Sequence, residues 1–519
     1  MKHLERRELA LFAAILTLAL CLRLYQLDIR PLHHDESVHA WFSYYLNLNT
    51  YIYDPTYHGP FQFYITHAIF SIAGANDFTA RSLPAFFGLL LVALAFGLRK
   101  QLGKAGYLTL AFFLAISPST LYYSRFFRND IYIATFSLAI LICALKYAEN
   151  QRAIYLYLAA IAAALSLAAK ENTFITLFIF LSFALLYFLN ARFNLRAKIN
   201  LILFGEIDRA QPAALPKLEI KAIAIALLIG AAVYSLLLSN FLFKIDNLLG
   251  LESADPTLRL PAPLRAVVTW ILTHSKGRIS GPFYYYLPLL FLYELPVIIF
   301  AIVGSIYYLK SKNLFMIFTV YWAAASFLIY SYVQEKVPWL ILHILLPQCL
   351  IAASYIGKKI EERSNKTLFL FLILLAFFIY SSLNLNYVNS YNPQEPLVYV
   401  QTSGDVKKVM SKIEMLSNNS KHVSITIATG DYWPFPWYLR EYTNVNYGGN
   451  YYHSIFIISS EWEASAIEKD LSGKGYEKEE FNLREWHVFQ LEDVTLNFLL
   501  FRKVVAPNGA LKLIFFYKR

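Results

Sequence analysis

Residues 80–99, ARSLPAFFGLLLVALAFGLR, are apolar over almost their whole length, with Arg81 near the start and Arg99 at the end. A helix needs about 20 such residues to cross the hydrocarbon core of a bilayer. Working outward with that ruler, ten more segments qualify, roughly 8–27, 105–123, 131–149, 153–169, 173–191, 220–242, 288–309, 313–333, 338–357 and 367–386. The pattern predicts a polytopic α-helical membrane protein with about 11 transmembrane helices. Composition agrees. Of 519 residues, 57% are hydrophobic and 16% charged, against about 45–50% and about 25% in soluble domains. That balance excludes an ordinary soluble enzyme, and 17% aromatic residues exclude disorder.

The 46 Lys and Arg outnumber the 35 Asp and Glu, a net charge of +11. In a membrane protein such an excess reads first as the positive-inside bias, and no nucleic-acid partner is expected. Cys21, Cys143 and Cys349 lie in apolar stretches without Cys-x-x-Cys spacing, which argues against a disulfide framework or a zinc site. The first apolar run is followed by Arg23 rather than a small-residue cleavage site, so it is expected to remain as an anchor. Beyond Asn386 the composition changes. Residues 387–519 alternate strand-like runs (423–429, 453–459, 486–491, 511–518) with a helix-like Asp405–Leu416, as in a soluble α/β or α+β domain. Two domains are therefore expected, a membrane module over 1–386 and an extracytoplasmic domain over 387–519.

With Lys2, Arg6 and Arg7 inside, the other inside loops carry Arg99/Lys100/Lys104, Lys146/Arg152, Arg192–Lys221, Lys310/Lys312 and Lys358/Lys359/Arg363/Lys366. Eleven crossings then put the C-terminal domain outside the cytoplasmic membrane. The outside loops contain HHDESVHAW (33–41), YHGPF (57–61), SRFFRND (124–130), KEN (170–172), the long stretch 243–287 and QEKVPW (334–339). Residues 35–48 and 60–73 are amphipathic but too short to span, and read as interfacial helices on the outer leaflet. Charged side chains at membrane ends commonly snorkel as solvated anchors. Snorkelling does not explain Asp, Glu, His, Arg and Lys gathering on the face where positive charge is disfavoured. A site for a phosphate-bearing substrate does.

HHDESVHAWF, YHGPF, ARSLPAFFGLLL, RNDIYIA, EKVPWLILH and DYWPFPWYLR together resemble the GT-C membrane glycosyltransferases. Within that group the resemblance is to the protein mannosyltransferase and aminoarabinose transferase branch, and more narrowly to archaeal mannosyltransferase-like proteins labelled flippase-activity-associated. It implies transfer of a sugar from a polyprenyl (dolichyl) phosphate donor to a protein, glycan or lipid acceptor, next to the lipid bilayer. Such a transfer needs a carboxylate for the acceptor proton and cations for the departing phosphate. The resemblance places the catalytic carboxylate at Asp35, with Glu36 as a second candidate. A plain N-cap role for Asp35 stays open.

Donor phosphate is expected at Arg81, Arg128, Lys336 and His58, although Gly59 stands where relatives have Pro. Each has a structural alternative, as anchor, local ion pair or turn residue. His34, Asp130, Lys170 and Glu171 are supporting candidates, and a divalent cation on His33, His34, Asp35 and Glu36 is conceivable. Glu294 and His343 are ionisable residues inside expected spans. No Rossmann fingerprint and no Trp-Trp-Asp-Tyr-Gly motif occurs, which favours a lipid donor and disfavours the oligosaccharyltransferase branch. The alternative function is a non-catalytic or flippase-associated protein that binds lipid-linked glycans.

Overall fold

The computed structural model describes residues 2–193, 219–251, 259–275, 281–311, 313–504 and 508–518. Its contacts divide the chain into two compact units. One comprises Met1–Tyr25, Leu46–Ala68 and Arg81–Asn386; the other comprises Gln26–Tyr45, Ile69–Ala80 and Tyr387–Arg519. Parts of the expected loops 192–221 and 243–287, namely 194–218, 252–258 and 276–280, lie outside the described residues, as does Lys312.

Helix occupies all eleven expected segments, but the number of spans is smaller. Among the described residues, seven helices are long and apolar enough to cross a membrane, or eight if a bent pair counts as one. Three features account for the difference. Every 18-residue window of Lys2–Leu24 contains at least three charged residues. Segments 80–99 and 105–123 fall largely within one 40-residue helical run, Asp77–Ile116, because the Ala95–Leu98 connection is itself helical. Ala153–Leu167 has only 15 residues. The bent pair is Tyr286–Tyr293 with Leu295–Leu309, which turn 108° at Glu294. Its buried carboxylate accepts from the Ser117 hydroxyl and the Ser119 N–H, both at 2.9 Å. With eight spans or fewer among the described residues in place of eleven, the parity step that oriented the chain no longer holds.

Span Pro338–Glu361 is almost wholly buried, so protein rather than lipid surrounds it. It crosses Arg99–Ile116 at a pair of glycines. A Cβ on Gly357 would lie 2.4 Å from the Gly106 backbone. Small residues let membrane helices approach this closely, and packing then replaces the hydrophobic drive that lipid does not supply.

In the second unit a six-stranded mixed sheet runs β1 (Gln401–Thr402), β5 (Tyr476–Trp486), β6 (Gly509–Lys518), β4 (Phe456–Ser460), β2 (Ser424–Ala428), β3 (Asn444–Tyr447). The β2 strand pairs in parallel with β3 and β4, and the other pairings are antiparallel. Side chains alternate between faces as the pleat requires. Ile425, Ile427, Phe456, Ile458, Leu513 and Phe515 pack beneath the amphipathic Asp405–Leu416 helix, through Val406, Val409 and Ile413. Ile457 and Phe516 face the Glu461–Leu471 helix. Three expected strands are present. The fourth, 486–491, is displaced: the strand precedes it and ends at Trp486, where His487 turns to Asp493 and Phe489 packs on Phe498.

Candidate functional site

Two constellations gather the expected residues, one in each unit. In the first unit the YHGPF turn is tied to residues 168–171. Gly59 N–H donates to the Ala169 carbonyl at 3.1 Å, and a Cβ on Gly59 would fall 2.0 Å from the Ala168 oxygen. Proline could supply neither the donor nor the space, which explains the glycine. Asn129 also binds the Ala169 carbonyl, at 2.9 Å, so three loops converge on one turn.

There the charges interlock. Asp130 opens the Asp130–Asn150 helix, the end that favours an anion. Its carboxylate receives Lys170 Nζ at 2.9 and 3.1 Å and lies 3.1 Å from His343 Nε2. Arg128 Nε is 3.8 Å from Asp130 Oδ2, and the guanidinium lies 3.9 Å over the Trp339 ring. His58 bridges onward, 3.5 Å from Arg128 and 3.1 Å from Glu171. Tyr53 donates to the other Glu171 oxygen at 3.0 Å. Asp130, Lys170, Glu171, Arg128 and His343 are all buried. Two carboxylates and two cations balance, as buried charge demands.

Five expected residues therefore meet: His58, Arg128, Asp130, Lys170 and Glu171. Sequence reasoning flagged His343 as an ionisable group within a span without assigning it to the site, and missed Tyr53 and Trp339. Arg81 is fully buried in the second turn of Asp77–Leu94. Lys336 is held elsewhere: its ammonium donates to the carbonyls of Tyr330, Ser331 and Val333, at the C-terminus of Leu314–Tyr332, where a cation suits the helix dipole.

In the second unit the helix His34–Tyr44 is capped by His33, not by Asp35. His33 Nδ1 accepts from Asp35 N–H, and Glu36 reaches back to the His33 N–H at 2.9 Å, completing a capping box. Glu36 also lies 3.7 Å from Arg30. His33 Nε2 meets the Tyr399 carbonyl at 2.9 Å. Both ring nitrogens of His33 and the Glu36 carboxylate are thus engaged within the protein. Among the described residues no group of three or more His, Cys, Asp or Glu could hold a metal ion, so the four expected ligands do not fit one.

His34 Nδ1 accepts from Arg484 at 3.0 Å, and Arg484 also approaches Asp431 at 3.6 Å. Burial holds His34 down at about 4; Asp35 pulls the other way and Arg484 adds to the lowering. Burial likewise lowers Arg484, opposed by Asp431 and Asp35. Asp35 is thus half-buried beside a neutral imidazole and a desolvated guanidinium. Nothing in the sequence tied Arg484 to this helix.

Residues 57–205 match the family model for dolichyl-phosphate-mannose-protein mannosyltransferase. Among solved structures, the chain is similar to ArnT from Cupriavidus metallidurans bound to undecaprenyl phosphate, with 14% identity, a TM-score of 0.59, and 98% of this chain and 97% of that one covered. It is also similar to the Archaeoglobus fulgidus oligosaccharyltransferase AglB in complex with an inhibitory peptide and a dolichol-phosphate, with 13% identity, a TM-score of 0.52, and coverage of 95% and 75%. The chain has the GT-C membrane glycosyltransferase fold. No curated protein matches it. All five expected residues of the buried network fall inside the matched span 57–205, whereas His343 lies on a later helix of the GT-C fold.

Proposed function

We propose that this chain is an inverting glycosyltransferase that moves a hexosyl or mannosyl group from a polyprenyl phosphate to a protein, glycan or lipid acceptor at the outer face of the membrane. The acceptor oxygen attacks the anomeric carbon, the bond from that carbon to the phosphate oxygen breaks, and polyprenyl phosphate departs. Asp35 takes the acceptor proton, with Glu36 supporting the helix end that carries it. Arg81, Arg128 and His58 hold the donor phosphate, and Lys336 joins them by exchanging a carbonyl partner for a phosphate oxygen. His34, Asp130, Lys170 and Glu171 fix these groups in place.

The observation that carries this reading is the buried network of Arg128, Lys170, Asp130, His58 and Glu171 within the span that matches the mannosyltransferase model. Trp339 under Arg128 and Asp130 beside Lys170 immobilise both cations, and preorganised charge is what stabilises a leaving phosphate. In this reading 1–386 is the transferase module and 387–519 an external domain, with the N-terminus inside. Lys and Arg at 2, 6, 7, 358, 359, 363 and 366 support that orientation.

The test is purified protein with a polyprenyl-phosphate hexose and membrane extract, followed by mass spectrometry. A hexose-bearing product together with free polyprenyl phosphate is expected. Donor that binds and returns unchanged would replace this reading with non-catalytic binding of lipid-linked glycans.

A further inference from the structure

The second unit carries a row of aromatic rings at its surface. From Tyr45 the ring centroids run 4.3 Å to Trp41, 6.3 Å to Trp433, 5.8 Å to Tyr432 and 5.7 Å to Tyr447. Three separate segments contribute: the helix His34–Tyr44 with its C-cap, the turn before Phe435, and strand β3. Tyr45, Tyr432 and Tyr447 are exposed, so the row is open along one side rather than closed over as a core.

Polar groups border it at Trp433. Arg484 donates to the Trp433 carbonyl at 3.2 Å and to His34 Nδ1 at 3.0 Å, and lies 3.6 Å from Asp431. The His34 ring meets Trp433 edge-on at 6.3 Å.

We infer that this row is the acceptor subsite and that the acceptor is a neutral glycan of pyranose sugars. The inference rests on the transferase reading above. A pyranose presents an apolar C–H face, which packs on the electron-rich face of an aromatic ring. Its hydroxyls lie around the rim of that face and need donors and acceptors in the same plane. Asp431 supplies acceptors and Arg484 donors, and His34 stays neutral at pH 7 because burial holds it at about 4. Five rings in succession suit an oligosaccharide better than a single sugar. The row also leads to the chemistry: Trp41 stands on the same helix as Asp35, and the Asp35 charge acts on both His34 and Arg484. In this inference the glycan crosses the polar border at Trp433 with its reacting hydroxyl beside the helix that carries Asp35. A headgroup-level aromatic belt would need only water on its polar side. It would not need a guanidinium, a carboxylate and a neutral imidazole gathered beside its middle ring.

The experiment uses full-length protein in nanodiscs, with mannotetraose and maltotetraose as probes and saturation-transfer NMR as the readout. At least one tetrasaccharide should bind saturably. Trp433→Ala and Tyr447→Ala should each weaken binding tenfold or more, with Trp433→Phe close to wild type. Trp462→Ala, at an exposed position on the Glu461–Leu471 helix, should bind as wild type does. Melting curves exclude misfolded variants. The inference is overturned if neither probe binds, if both alanine variants bind like wild type, or if brominated lipid rather than glycan protects and quenches Trp433. Donor hydrolysis by wild type without acceptor, in the same nanodiscs, reports on the transferase reading alone. Hydrolysis without tetrasaccharide binding removes the subsite and keeps the transferase; binding without hydrolysis leaves a glycan site and removes its role as an acceptor subsite.

Discussion

His34 makes the second unit sensitive to acid. Its imidazole titrates at about 4 in the fold against 6.5 in an unfolded chain, chiefly through burial. Between those values the unfolded state holds the extra proton, so stability rises with pH. It is fully present above 6.5 and drains away as pH falls towards 4, by on the order of 3 kcal/mol at most. His34→Gln removes the titration and should flatten the melting profile between pH 7 and 4; parallel profiles would contradict the assignment. In the first unit, Lys170→Met strips Asp130 of its nearest cation and should cost about 3–5 kcal/mol, read as a fall in melting temperature. Pairing it with Asp130→Leu should recover much of that loss, because the buried charges that remain, Arg128 and Glu171, again balance. Asp130, Lys170 and Glu171 could be picked from sequence because charge clustered in short outside loops. Tyr53 and Trp339 could not, since nothing distinguishes one aromatic residue in a chain with 38 Tyr and 8 Trp. Arg484 lies 450 residues from its partner His34, in a charged strand whose pattern points nowhere. The His33 cap was hidden for a different reason: Asp is a far commoner cap than His.

Helices were readable because apolar length is a local property. Their grouping into spans was not. Whether Ala95–Leu98 forms a loop or a helical link, and whether Glu294 bends a helix by 108°, depends on packing partners remote in sequence. Strand β5 was misplaced because its first half, Glu477 to Glu480, is polar on both faces and lacks the alternation that marked the other strands. Packing also sets the most fragile contact among these elements. A side chain at Gly357 must displace the Gly106 backbone, so Gly357→Leu should lower stability by about 1–3 kcal/mol or more and reduce the yield of folded protein. Gly449→Ala, where a Cβ meets nothing within 4 Å, should be close to silent. Equal melting temperatures for the two variants would show that the glycine crossing is unimportant.

At the scale of the whole molecule, both the two-unit division and the orientation have experimental consequences. The second unit includes Gln26–Tyr45 as well as residues beyond 387, so a chain ending at Asn386 would deprive His33 and His34 of Tyr399 and Arg484. Such a truncation should unfold the Asp35 helix rather than isolate a working core. Orientation can be read in a background lacking Cys21, Cys143 and Cys349. Cysteine at the exposed positions Ser472 and Arg363 should react with impermeant thiol reagents in intact cells at 472 alone, and the reverse pattern would invert the topology. The most direct measurement is single-turnover transfer of the sugar to acceptor, with release of polyprenyl phosphate, from a radiolabelled polyprenyl-phosphate sugar, comparing wild type with Asp35→Asn. Because His33 caps the helix, this substitution removes basicity without disturbing the cap. The rate should fall by about 10²–10⁴-fold with an unchanged melting temperature. A wild-type rate in Asp35→Asn would contradict the account.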